Sequence, residues 1–352
     1  MLAEQVEVVI GVDTHKHTHT AAVVTAATGA VLAQLTVATD LEGYQQLLEL
    51  AGQHSPLRAW AMEGSGGYGA GLAAHLAERE ELVVELDRPA RPTRKAGAKS
   101  DPIDAARAAR DALARVHLGQ PRTGPERAAL QVLLTARRAA VAASVDGQSQ
   151  LQAMIVTAPE QVRARFWGLS TRAMLAAALK LRPAYYAAEV HVHTAMTTLK
   201  AIARRVQTLD DEAAGHEKAI KKIVSAWRPD LLALTGVGPI VAATVLAAWS
   251  HTGRCRDDAA FAMLAGTAPI PASSGMTTRH RLNRSGDRQL NRAIYTIVIT
   301  RLRLDPATRA YAERRRAQGK TDREIRRCLS RYVTRQLYRQ LESTPTQPLD
   351  AS

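Results

Sequence analysis

Three short segments near the start of the chain, 6–13, 19–26 and 30–37, are rich in Val, Ala and Thr and are separated by brief polar or Gly-containing turns. Runs of that composition with such short links predict three antiparallel strands joined by hairpins, because tight turns can connect only antiparallel neighbours. A helix is predicted over about 40–53, then a strand in LRAWAME (57–63), a helix in YGAGLAAHLAER (68–79) and a strand in LVVEL (82–86). Alternation of helices and strands adds parallel members to the sheet and gives an α/β layer.

A three-strand meander followed by alternating helices and strands resembles the order of ribonuclease H-like folds. Residues 88–100 then form a basic loop with Arg88, Arg91, Arg94, Lys95 and Lys99, two prolines and no acid, a place where phosphate can rest. From about 126 to 228 the chain is Ala-rich with helical spacing, in RAALQVLLTARRAAVAASVDGQSQLQAMI and HTAMTTLKAIARRVQTLDDEAAGHEKAIKKIVSAW. Two long helices packed as an antiparallel hairpin or coiled coil are expected, with close helix packing or a partner protomer covering their small-residue faces. The expected fold class is α/β plus α. It comprises an N-terminal ribonuclease H-like domain (1–125), a helical coiled-coil middle (126–228), a mainly helical C-terminal domain (229–342) and a disordered tail, STPTQPLDAS (343–352).

The formal net charge of +14 lies almost entirely near the C-terminus: residues 276–342 hold 18 Lys/Arg against 6 Asp/Glu, while residues 1–275 hold 29 against 26. A solvated basic face is the plain reading. Arg dominates the region, however, and its planar fork matches phosphate oxygens, which points to a nucleic-acid backbone and to binding that weakens steeply with salt. The two cysteines, Cys255 and Cys328, lack metal-ligand partners at useful spacing and read as reduced thiols. MLAEQVEVV has neither the basic start nor the cleavage pattern of a signal peptide, and no run approaches the ~18 apolar residues of a membrane helix. A soluble cytoplasmic protein with no membrane partner is expected.

Four acids occupy element ends: Asp13 closes the first predicted strand, Glu63 the fourth, and Asp101 and Asp104 open a helix in KSDPIDA. Adjacent strand ends put Asp13 and Glu63 on one sheet edge, and i, i+3 spacing puts Asp101 and Asp104 on one helix face. Hard cations such as Mg²⁺ take several oxygen ligands, and two ions about 3.5–4 Å apart clamp the oxygens of a phosphoryl displacement. Singly, each acid has an ordinary reading. Asp101 before Pro102 suits an N-cap, Asp104 suits a helix first turn, and Glu63 suits an exposed strand end. The set of four is what points to metal-dependent phosphate chemistry.

Other motifs carry weaker signals. HKHTHT (15–20) offers His15, His17 and His19 as a zinc set, but a polar hairpin turn explains it as well, and Lys16 and His15 can approach phosphate beside Asp13. In LTGVGPIVAATVLAAW (234–249), Gly236 and Gly238 enter an apolar helix, either as plain turn residues or as a helix–hairpin–helix-like turn whose backbone N–H groups face phosphate. In AGTAPIPASSGMTTRHRLNRSGDRQLNRAIY (265–295), Ser273 and Ser274 precede Gly275 and are followed by Arg279, His280, Arg281, Arg284, Arg288 and Arg292. A serine attacking phosphorus needs such positive groups, although loop serines are commonly turn residues.

Taken in order, GVDTHKHTHTAAVV, AMEGSGGYG, KSDPIDA, LTGVGPIVAATVLA, LAGTAPIPASSG and RLNRSGDRQLNRAIY resemble the DEDD-type transposases of the insertion-sequence one-hundred-and-ten family, the bridge-RNA-guided recombinases. The likeness spans about residues 6–300. It implies a RuvC-like N-terminal domain, a coiled-coil middle and a C-terminal transposase domain with an essential serine. By position, Asp13, Glu63, Asp101 and Asp104 match the four acids, which would be catalytic Mg²⁺ ligands, and Ser274 matches the serine, with Ser273 a less fitting substitute. The resemblance further implies donor and target DNA, a structured guide RNA whose pairing selects the sites, and a homo-oligomer, dimer or tetramer, in which serine and acids of different protomers meet at one phosphate. Nucleic-acid contacts are expected from Lys16, Arg94, Lys95, Lys99, Gly236, Gly238, Arg279, Arg281, Arg284, Arg288 and Arg292.

The residues also allow two other readings: a metal-dependent nuclease of branched DNA that uses the acids alone, and a non-catalytic nucleic-acid-packaging protein that uses the Arg-rich region alone. The low aromatic content, 4%, agrees with reading of backbone shape over base stacking.

Overall fold

A computed structural model describes residues 1–86, 100–272, 280–283 and 286–343. The basic loop up to Lys99, with Arg94 and Lys95, the Ser273–Ser274 pair, Arg279, Arg284 and the C-terminal tail from residue 344 lie outside the described residues. The chain divides into two compact units, Met1–Gly124 with Ser250–Cys255, and Pro125–Trp249 with the described residues from Arg256 onward.

In the first unit the Val/Thr/Ala runs form β1 (Val8–Thr14), β2 (Thr18–Thr25) and β3 (Val31–Ala38). Helix α1 (Leu41–Gly52), β4 (Arg58–Met62), α2 (Ala70–Ala77), β5 (Val83–Glu85) and α3 (Asp101–Ala114) follow. The sheet order is β3-β2-β1-β4-β5. The three hairpin strands pair antiparallel, while β4 and β5 join in parallel, so the N-terminal sheet is ribonuclease H-like as expected. Both faces are covered, which is why the central strands read as nearly continuous apolar runs. Ile10, Val12, Val23, Trp60 and Met62 pack on one face against Tyr44 and Leu47 of α1 and Leu72 and Leu76 of α2. On the other face Val9, Ala22, Val24, Ala59 and Ala61 meet the alanines of α3.

The second unit is almost wholly helical. It contains α4 (Pro125–Thr157), α5 (Glu160–Arg163), α6 (Thr171–Leu179), α7 (Val190–Trp227), α8 (Pro229–Leu232), α9 (Pro239–Trp249) and α10 (Asp258–Leu264). A two-residue ladder, β6 (Ile270–Pro271) with β7 (His280–Arg281), precedes α11 (Arg288–Leu304), α12 (Pro306–Ala317) and α13 (Asp322–Glu342). Helices α4 and α7 form the expected antiparallel hairpin: the Arg137 guanidinium meets Glu217 at 2.9 Å, and Ser144 donates to Asp210 at 2.5 Å. A Cβ at Gly147 would lie 2.7 Å from Val206 Cγ2, so the absent side chain lets the two helices approach closely. Between the long helices, α5 and α6 add a cluster in which Phe166, Leu151, Met196 and Leu199 are buried.

Helix α9 is buried nearly all round, in accord with a run that is apolar except for Thr244. Its neighbour α11 is amphipathic, with Leu290, Ile294, Ile297 and Val298 inward. The sequence TDRE closes a capping box on α13, with Thr321 and Glu324 each accepting from the other's backbone N–H. The excess of arginine is partly structural. Arg228 is 2% exposed and donates to Asp230 and to the carbonyl of Leu341, at the electronegative end of α13.

One expectation changes. Helix α4 contains an 18-residue window of mean hydropathy 1.3, long and apolar enough to cross a membrane by length and composition, and only 22% of that window is buried. Alanine and valine raise the hydropathy without forming an unbroken run of large side chains. Val132, Val141, Val145 and Val156 are exposed on the helix.

Candidate metal centre

Strand β1 alternates its side chains, so Val9, Gly11 and Asp13 share the face covered by α3. A Cβ at Gly11 would stand 2.0 Å from the carbonyl oxygen of Ala105 and 2.6 Å from the backbone nitrogen of Ala109. Only glycine lets the helix backbone rest on the strand at that point. Because Ala105 opens the second turn of α3, seating it on Gly11 brings the preceding turn, with Asp101 and Asp104, alongside Asp13. Gln34 of β3 donates to the Pro102 carbonyl at 3.4 Å and ties the same turn to the sheet.

Glu63 arrives by strand register. Val12 pairs with Met62 in the parallel β1–β4 ladder, and the next residues along are Asp13 and Glu63. Thr14 Oγ1 donates to the Glu63 carbonyl at 3.3 Å and holds the strand ends together. The helix cap is Ser100, whose carbonyl receives the N–H groups of Ile103 and Asp104, so Asp101 is the first helical residue and the N-cap reading of its carboxylate fails.

Among the described residues, Asp13, His15 and Asp101 offer ligand atoms that all lie within 4.8 Å of one another. His15 Nε2 stands 3.1 Å from Asp13 Oδ2 and 3.8 Å from Asp101 Oδ1. Asp104 is engaged by Arg107, whose Nη1 donates to Oδ1 at 2.5 Å. Glu63 is held above the ordinary glutamate value of 4.5, first by desolvation, although the residue keeps solvent-exposed surface, and then by the charges of Asp13, Asp104 and Asp111, with Arg107 opposing. Mutual repulsion of this kind is what a divalent cation relieves. The carboxylate-rich donor set therefore fits a divalent metal ion, with Asp13 and Asp101 nearest to ligand spacing and Glu63 and Asp104 alongside.

The three histidines of HKHTHT do not gather. His19 is fully buried and its ring stacks on Tyr44 at 5.8 Å between centroids, whereas His17 is exposed in the β1–β2 turn. The zinc reading gives way to the polar turn, with Lys16 exposed at its tip. His15 alone turns to the acids. Arg107 and Asp111 also bear on this site, and their i+3 and i+7 offsets from Asp104, on the same helix side, are the sequence signal for them.

In the helical unit, Gly236 has φ +87° and its Cβ position would be 3.1 Å from the Ile297 carbonyl, so the first glycine of LTGVGP has a backbone duty of its own. Gly238 has open space and immediately precedes α9, its carbonyl accepting from Ala242. Arg301 secures the turn by donating to the Thr235 carbonyl at 2.8 Å. Arg281, Arg288 and Arg292 are exposed.

Comparison with known proteins accords with this geometry. A DEDD family profile of IS110 type, described as a transposase, matches residues 10–158, which include all four acids. A second profile, described as the transposase IS116/IS110/IS902 family, matches residues 229–313. The chain belongs to this transposase family. Two curated relatives are similar to parts of the transposase-family chain. One is the insertion element IS900 uncharacterized 42 kDa protein of Mycobacterium paratuberculosis, 35% identical over 36% of this chain and 33% of its own length. Another is the insertion element IS110 uncharacterized 43.6 kDa protein of Streptomyces coelicolor, 32% identical over 34% of this chain and 30% of its own length. The chain thus spans about a third of the length of the curated relatives it matches.

Proposed function

We propose that this family member is a DNA transposase that cuts and rejoins DNA strands at the acid centre with divalent metal. The observation that carries the reading is the seating of α3 on Gly11, which brings Asp101 within ligand spacing of Asp13, with Glu63 one register step from the Val12–Met62 pair. A bound Mg²⁺ would neutralise charge on the phosphate oxygens as the phosphorus–oxygen bond breaks. The carboxylates of Asp13, Glu63, Asp101 and Asp104 would hold it there.

Serine chemistry is part of the same proposal and rests on the SSG motif with its following arginines. Ser274 Oγ gives up its proton and bonds to phosphorus while one bond to a deoxyribose oxygen breaks. That oxygen leaves as a hydroxyl. Attack by a second deoxyribose hydroxyl on the phosphoserine reverses the step and joins a new strand. Acids from one copy and Ser274 from another would act on one phosphate, in a dimer or tetramer covering the exposed apolar side of α4.

A structured guide RNA would choose donor and target sites by base pairing, and Lys16, Arg94, Lys95, Lys99, Gly236, Gly238, Arg279, Arg281, Arg284, Arg288 and Arg292 would hold backbone phosphates. Their work would lie in the cytoplasm, away from any membrane. The test is to incubate the protein, RNA transcribed from the flanking element and junction DNA with Mg²⁺, then denature. A covalent protein–DNA adduct that disappears in Ser274→Ala is expected. Free nicked ends at undiminished rate in that variant would replace the serine mechanism with a metal-dependent nuclease.

A further inference from the structure

The acid centre contains one side chain that is not an acid. His15 leaves β1 two residues after Asp13, its backbone N–H donates to the Thr18 carbonyl at the β1–β2 turn, and its ring reaches back across the strand end to the carboxylates. Nε2 lies 3.1 Å from Asp13 Oδ2 and 3.8 Å from Asp101 Oδ1. For metal–ligand bonds near 2.1 Å, neighbouring ligand atoms of an octahedron are about 3 Å apart and opposite ones about 4.2 Å. All three ligand atoms lie within 4.8 Å of one another, so one ion between them needs shifts well under the length of a side chain.

Alternative partners for the ring are ordered differently. Asp104 is engaged by Arg107, and His19, the next but one histidine along β2, faces the opposite side of the sheet against Tyr44. Nε2 of His15 is thus the ring atom turned to the space between the two carboxylates. The ring is about half exposed, at 48%, so it carries little of the core's packing and is free to adjust.

We propose that His15 is a nitrogen ligand of the ion held by Asp13 and Asp101, and that it tilts this centre toward a first-row transition ion, Mn²⁺, over Mg²⁺. Mg²⁺ favours oxygen donors and gives up its water shell reluctantly; Mn²⁺ also takes carboxylate oxygens but, as a first-row transition ion, accepts an imidazole nitrogen more readily than Mg²⁺ does, so a single Nε2 in place of one oxygen shifts the preference. The inference rests on the metal reading of the acid centre and adds a residue outside the four acids.

Binding, without DNA or turnover, tests it. Free Mn²⁺ is followed by its electron paramagnetic resonance signal during titration of the full chain, and Mg²⁺ is measured by competition against bound Mn²⁺. In His15→Ala, Mn²⁺ affinity should fall on the order of tenfold or more while Mg²⁺ affinity falls by less than about threefold. In parallel, substoichiometric Mn²⁺ should broaden the ring-proton resonance that vanishes in His15→Ala, and circular dichroism of that variant establishes that it is folded. Unchanged Mn²⁺ affinity in His15→Ala, or equal changes for both ions, overturns the role of His15 and leaves the acid centre standing. Wild-type protein that binds neither ion, or binding untouched by Asp13→Asn, overturns the acid-centre reading and this inference together.

Discussion

The acid centre and the basic helices place their charges by opposite means. Around Asp13 position comes from backbone contact: a glycine under a helix, a parallel register and short side chains, so the carboxylates are set by the sheet itself. In the helical unit, charge sits at the ends of long side chains, and much of it is already engaged. Asp258 accepts from Arg335 and Arg331, which hold it below the usual aspartate range, and Arg228 is buried against Asp230 and the end of α13. Arg288 and Arg292 remain at the surface. A centre that must fix an ion within tenths of an ångström is built on rigid elements, whereas a surface that follows a flexible polyanion works with adjustable arms.

This contrast can be broken by four measurements. Asp13→Asn keeps the shape of the side chain and removes its charge; metal-dependent strand cleavage should fall about a thousandfold or more with the fold intact by circular dichroism. Retained cleavage would remove the acid centre from the chemistry. Gly11→Ala touches no ligand, yet its Cβ meets the Ala105 carbonyl, so chemical denaturation should register a loss of about 3 kcal/mol, with weakened metal binding. If stability fell while metal affinity held, backbone seating would not be what positions Asp101.

Two smaller effects follow, one on each side. Arg292→Ala should weaken DNA binding roughly tenfold at moderate salt and lower the salt slope by about 1, the same for every sequence tested. A sequence-selective loss would instead mean base reading. Glu63 has a raised value, so the folded state retains its proton where the unfolded chain has already lost it. The metal-free protein should therefore lose stability as pH rises from 4.5 through the raised value, and Glu63→Gln should recover less than about 1 kcal/mol at neutral pH. Thermal melts of both proteins across that interval, with chelator and then with Mn²⁺, check the sign. Added metal should favour the wild type.

Much of the first unit is legible in the chain. Predicted strands at 6–13, 19–26 and 30–37 fall within two residues of Val8–Thr14, Thr18–Thr25 and Val31–Ala38, because period-two apolar runs and short turns are local signals. The two long helices were equally plain, while the α5–α6 cluster between them was not; short helices lack enough turns for a period to show. Within the centre, Asp13 and Asp101 were readable as element ends. The motif offers His15 either in a set with His17 and His19 or, with Lys16, beside Asp13; the hairpin turn separates the three rings and leaves His15 at the acids.

By itself the sequence determined which residue types were on hand and on which elements: four acids at element ends, arginine massed toward the C-terminus, and the order of strands and helices. These follow from local propensity and side-chain period. Only the tertiary structure decided that a glycine at position 11 would carry a helix beginning 90 residues later, and that an imidazole would stand between two carboxylates. Those facts depend on strand register and on contact between backbones far apart in the chain, and neither leaves a periodic trace in the sequence.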